Sequence, residues 1–101
     1  LGSHGEIFVT DGNPDGPESP ALLLRIDLHT GKQWVVSRGG FLRYPGGIAM
    51  LNESTVLIAD AAAVKSSPRI VRVNLKSGAQ SIVASGPPLV RPSAVLVTGR
   101  Q

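Results

Sequence analysis

Cysteine is absent from this 101-residue chain, which excludes disulfides, thiol nucleophiles and zinc–thiolate sites. Aromatics are scarce, with one Trp, one Tyr and two Phe, too few for a base-stacking platform. No apolar run approaches the ~18 residues of a membrane-spanning helix. The opening residues show no secretory or lipidation pattern, although Leu1 is not an initiator and leaves room for sequence upstream. A soluble protein is expected, with no compartment indicated. Glycine and proline are plentiful, at twelve and eight, so few stretches run a dozen residues without a breaker. That argues against a helical bundle, and the lack of a G-X-Y period excludes collagen. With 42% hydrophobic and 17% charged residues, the chain has the material of one folded domain, 1–101.

The net charge of +3 is unevenly placed. Residues 1–50 hold four basic against five acidic side chains, a balance of −1; residues 51–101 hold six against two, a balance of +4. The basic residues stand singly rather than in a cluster, so a slightly basic solvated surface is expected and neither nucleic acid nor a membrane is a predicted partner.

An internal repeat sets the architecture. Sliding the chain by 47 positions aligns Leu24–Pro45 with Val71–Pro92, and eight of 22 positions are identical. These are Arg25/Arg72, Leu28/Leu75, Gly31/Gly78, Gln33/Gln80, Val36/Val83, Gly39/Gly86, Leu42/Leu89 and Pro45/Pro92. Upstream, Glu6–Asp11 (EIFVTD) matches Thr55–Asp60 (TVLIAD) at a shift of 49. The difference of two falls in the polar Gly/Pro stretch DGNPDGPESP, where insertion costs little. The units are predicted at about 5–50 and 51–101.

Each unit reads as strands. Leu24, Ile26 and Leu28 alternate with Arg25 and Asp27, as Val71, Val73 and Leu75 do with Arg72 and Asn74. Turn-forming His29–Lys32 and Lys76–Ala79 lead into the β-branched runs QWVVS and QSIVAS. After Pro45 and Pro92 come the apolar runs GGIAM and SAVLV. The predicted fold is all-β, with strands near 6–11, 22–28, 33–37, 46–50, 55–59, 69–75, 80–84 and 93–98. The alanine-rich segment at 58–67 is expected to be a loop with at most one helical turn. The expected core is Ile7, Val9, Leu24, Ile26, Leu28, Val36, Ile48, Leu57, Val71, Val73, Leu75, Val83 and Val95.

Four short strands in 47–49 residues, repeated, match the period of a β-propeller blade. The motifs Pro45-Gly46-Gly47-Ile48-Ala49, Glu6–Asp11, Thr55–Asp60, Leu24–Asp27 and Asp27-Leu28-His29-Thr30-Gly31 resemble the six-bladed NHL, SMP/gluconolactonase and virginiamycin-lyase-like propellers. The resemblance implies two four-stranded blades per chain, completed to a six-bladed ring by oligomerisation. In that frame the sequence opens on a blade's second strand and closes on an innermost one. Glu6, Ile7, Phe8 and Val9 of one copy are then expected to pair with Ala94, Val95, Leu96 and Val97 of a neighbour. The expected partner is the chain itself, head-to-tail, with a trimer preferred.

Residues that carry chemistry are few. His4 and His29 stand outside any HxxxH or HExxH spacing, no GxSxG elbow occurs, and Gly39-Gly40 and Gly46-Gly47 lack the lysine of a phosphate loop. Asp11 and Asp60 end equivalent strands. They are either loop caps or, around a ring, a carboxylate set able to hold a divalent cation; no other cofactor is expected. The gluconolactonase resemblance implies Asn or Asp metal ligands just after the blade proline. Those positions here are Gly46 and Ser93, without a carboxylate or amide. Ligand binding, if any, is predicted near Asp11, Asp60, Gly46 and Ser93. Trp34 is expected to pack at a blade edge or between blades, with a partner-binding surface as the alternative. Phe41 is expected to be a packing residue, and Arg25 and Arg72 to form cross-strand or inter-blade salt bridges rather than recognise an anion. A non-enzymatic, self-assembling scaffold for a small molecule, glycan or protein ranks first. A two-blade fragment of a larger propeller and a metal-assisted lactonase or lyase follow.

Overall fold

The computed structural model describes residues 5–12, 20–61, 67–89, 92 and 94–98. Among these, seven strands form two antiparallel sheets, and no helix is long and apolar enough to cross a membrane. The first sheet has the order β1 (Glu6–Asp11), β2 (Leu22–Asp27), β3 (Gln33–Arg38). The second has β4 (Pro45–Asn52), β5 (Thr55–Asp60), β6 (Arg69–Asn74), β7 (Gln80–Ser85). Each strand falls within two residues of its expected position. The eighth does not form: Ala94–Thr98 is unpaired, and Ser93 lies outside the described residues, as do the five central residues of the alanine-rich segment. The reason is topological. Within its own sheet the inner position, beside β5, is already filled by β4, and the segment pairs with neither edge strand, β4 or β7.

The repeat survives at the level of single hydrogen bonds. The pairs Glu6↔Asp27 and Thr55↔Asn74 open equivalent ladders. Both outer pairings slip at the same place, between Leu23 and Leu24 and between Ile70 and Val71, leaving Val36 and Val83 as bulge residues. The turns that follow are superimposable in chemistry. Asp27 Oδ1 accepts from His29 N (2.7 Å) and Thr30 N (3.1 Å); Asn74 Oδ1 accepts from Lys76 N (2.9 Å) and Ser77 N (3.0 Å). Gly31 and Gly78 close these turns at φ 76° and 77°, each N–H donating 2.8 Å to the carbonyl of Asp27 or Asn74.

One of these turns is sensitive to pH. The backbone N–H groups of His29 and Thr30 hold the Asp27 carboxyl below its ordinary value of 3.8. A carboxylate depressed on folding stabilises the native state above its unfolded pKa and loses that contribution as pH falls through the lower folded value. Asn74 does the same work uncharged in the second unit. Asp27→Asn is therefore expected to flatten the acid limb of stability between pH 5 and pH 2 while leaving the neutral-pH melting temperature within a few degrees. Thermal unfolding across pH tests this; an unchanged acid limb contradicts it.

The core lies between the sheets. Ala21, Leu23 and Leu42 meet Val56, Ile58, Val71, Val73 and Leu75, with Phe8, Val36, Ile48 and Met50 packed around them. Of the expected core, Val71, Val73 and Leu75 are buried. Val36 and Ile48 are partly buried and pack against the cluster. The others are corrected: Ile7, Val9, Leu24, Ile26, Leu57 and Val95 are only partly covered, Leu28 is 53% exposed and Val83 47% exposed. Their place is taken by Leu23, Val56, Ile58, Ala21, Ala59 and Leu42. In β2 and β5 both faces are apolar, so alternation identifies two faces without saying which one the other sheet covers.

Candidate functional site

The residues singled out at the strand ends meet very different fates. Asp60 ends β5 and is fully buried. Its Oδ2 accepts from Arg43 N (2.8 Å) and its Oδ1 from Tyr44 N (3.0 Å), while Ala61 N donates to the Tyr44 carbonyl (3.1 Å). The carboxylate thus caps the loop that leaves the first sheet. It pins that loop to the second sheet rather than closing a turn of its own.

Asp11 ends β1 at the equivalent place and is half-buried, and no hydrogen bond among the described residues reaches its carboxylate. Gly46 contributes its carbonyl, which accepts from Thr10 Oγ1 (2.8 Å) and ties β1 to β4. Ser93 lies outside the described residues. Among the described residues no group of three or more His, Asp or Glu could hold a metal ion.

The remaining polar contacts lie along the junction between the sheets, and sequence reasoning missed their centre. Gln80 Nε2 donates to Ser37 Oγ (2.8 Å) and to the Gly39 carbonyl (3.0 Å), while its Oε1 accepts from Phe41 N (2.7 Å). Ser37, itself buried, donates to the Gly78 carbonyl (2.8 Å). The identity of Gln33 and Gln80 in the repeat was the available signal. Arg25 pairs across strands with Glu6 at 3.4 Å, without hydrogen-bond alignment, and its guanidinium sits 5.5 Å from the Phe8 ring. Trp34 is 40% exposed under the Lys32 ammonium, at the rim rather than packed away.

The largest unexplained feature is apolar. The buried face of the second sheet carries Val56, Ile58, Val71, Val73 and Leu75. Their repeat counterparts are Ile7, Val9, Leu24, Ile26 and Leu28, which lie partly or largely exposed on the face of the first sheet turned away from the core. The converse also holds. Phe8, Leu23 and Val36 face the core, and their counterparts Leu57, Ile70 and Val83 lie on the outer face of the second sheet. Each outer face therefore has the composition of the inner face that the other sheet already covers. Comparison with protein families, with curated proteins and with solved structures returns no match.

Proposed function

We propose that this chain is a self-assembling β-propeller building block, its two sheets serving as consecutive blades that associate head-to-tail with other copies. The observation that carries the reading is the exchange of faces. Phe8, Leu23 and Val36 on one side of the covered junction, and Val56, Ile58, Val71, Val73 and Leu75 on the other, each have an apolar counterpart on the two uncovered faces, in the same register and beside the same bulge. A second copy can lay its second sheet on the first sheet of another as each chain lays its own sheets together. A heterologous contact of this kind closes into a ring when its rotation permits. Rings of about four to eight blades are usual, and the resemblance to six-bladed propellers favours three copies. The balances of −1 and +4 in the two halves meet at each junction and favour that pairing.

The copy-to-copy junction differs from the internal one in its polar contacts. Ser37 has Ala84 as its counterpart and Phe41 has Pro88, which has no N–H, so two of the bonds around Gln80 have no equivalent for Gln33. Apolar contact carries more of this junction. The ring so formed is a non-enzymatic scaffold, and a small molecule, glycan or protein would sit at its channel mouth near Asp11 and Gly46, where loops from every blade converge.

Ile26→Lys and Val73→Lys test the reading as a pair, since they occupy equivalent positions. Val73 is fully buried within one chain, so its replacement is expected to abolish the β-sheet circular dichroism signal. Ile26→Lys is expected to keep that signal and lose assembly. An unaltered sedimentation mass for folded Ile26→Lys would count against the proposal. A wild-type chain that stays monomeric would favour the fragment reading, in which further repeats of a longer protein cover these faces.

A further inference from the structure

A cleft of about 130 Å³ opens between β1 and β4, lined by Phe8, Ile48, Ala49 and Met50. It is well below the ~300 Å³ at which small-molecule pockets begin, and is of a size to take a side chain. Above it runs the outer edge of β1, which no strand among the described residues pairs with. The middle of that edge reads Ile7-Phe8-Val9, an apolar run without a charge or proline of its own, between Glu6 and Asp11 at the strand's ends. Elsewhere on the chain, Leu96 is 84% exposed, more than any other large apolar side chain described. An edge of β1 lacks a strand, and a strand-like apolar run lacks an edge.

The register follows from the chain's own complete sheet. There β4 pairs with β5 as Ile48↔Ile58, Ala49↔Leu57 and Met50↔Val56. Moving β4 by 47 positions and β5 by 49 gives Val95↔Val9, Leu96↔Phe8 and Val97↔Ile7. Residues directly opposite in an antiparallel pair share a face. Phe8 faces the core, so Leu96 opposite it points into the cleft. Val95 and Val97 join Val9 and Ile7 on the other face.

We infer that residues 94–98 of a second copy add to β1 as an antiparallel strand in this register, seating Leu96 in the cleft lined by Phe8, Ile48, Ala49 and Met50. The inference rests on the assembly proposed above and gives it a specific lock. Strand addition of this kind takes its affinity from main-chain bonds and its specificity from alternate side chains. Leu96 is the specificity-determining side chain here.

The chain has no cysteine, so single thiols can be placed without interference. Phe8→Cys and Leu96→Cys chains, mixed and treated with a short bifunctional thiol reagent, are expected to give a covalent dimer of unlike chains. Val97→Cys replacing Leu96→Cys should give much less, because its side chain lies on the other face. Leu96→Asp, in an otherwise unaltered chain, is expected to keep the circular dichroism spectrum and weaken association by about tenfold or more. An oligomeric wild type that shows neither the 8–96 link nor sensitivity to Leu96→Asp overturns this seat while leaving assembly standing. A monomeric wild type overturns both. A link formed within one monomeric chain carrying Phe8→Cys and Leu96→Cys also overturns the inference, since the chain's own segment would then be the occupant.

Discussion

Gly78→Ala is expected to unfold the molecule at temperatures where Gly31→Ala leaves it folded. The two glycines close equivalent turns with φ of 77° and 76°, so the backbone penalty for a Cβ is the same, about 1–2 kcal/mol. Their surroundings differ. A Cβ at Gly78 would run into the carbonyl oxygen of Val36, part of the opposite sheet's backbone, whereas at Gly31 it meets nothing. Forcing the sheets apart adds about 1–3 kcal/mol of overpacking strain and disturbs the Ser37 bond to the Gly78 carbonyl. For a domain of this size that corresponds to a melting temperature lower by roughly 5–20 °C than for Gly31→Ala. In the proposed ring, Gly31 lies against the Val83 carbonyl of a second copy, so its replacement should reduce sedimentation mass while sparing the β-sheet signal. Equal loss of that signal in both variants would contradict the close approach of the sheets.

Asp60→Ala is the second substitution with a large expected effect. It removes the acceptor of the Arg43 and Tyr44 N–H groups and leaves a polar gap at a fully buried position. Hydrogen bonds to a carboxylate contribute about 1.5–3 kcal/mol each, so a loss of roughly 3–5 kcal/mol is expected from a total that is usually about 5–15 kcal/mol. Asp11→Ala, at the equivalent strand end, should cost a single chain under ~0.5 kcal/mol, in line with a position that shows no such partner among the described residues. Urea unfolding of the two variants measures the difference. Equal midpoints would mean that the loop after β3 is held by something other than its cap.

The contrast between these aspartates shows where sequence reading succeeds and where it stops. The repeat revealed the strands because turn residues and β-branched runs act locally: Asp27 and Asn74 organise the same turn whatever packs above them. It also placed Asp11 and Asp60 at matching positions. Which of them is capped depends on whether a preceding unit is present, and that is a property of packing. The core was misassigned for the same reason. Leu24 and Leu23 both suit burial, and only the presence of the second sheet on one side selects Leu23. The expected strand at 93–98 reads apolar in sequence, yet a strand forms only against a partner, and the place beside β5 that its repeat position would take is filled by β4. Gln80 was legible as a repeated residue, but its role depends on Ser37, Gly39 and Phe41, about 40 positions away.

Sedimentation equilibrium of the unmodified chain at micromolar concentration tests the central claim most directly. Two uncovered apolar faces and an open β1 edge per 10.5 kDa chain predict a closed, monodisperse particle, with three chains favoured over two or four. A folded chain that sediments at 10.5 kDa and remains soluble, with Ile26 and Leu96 still open to solvent, would contradict it.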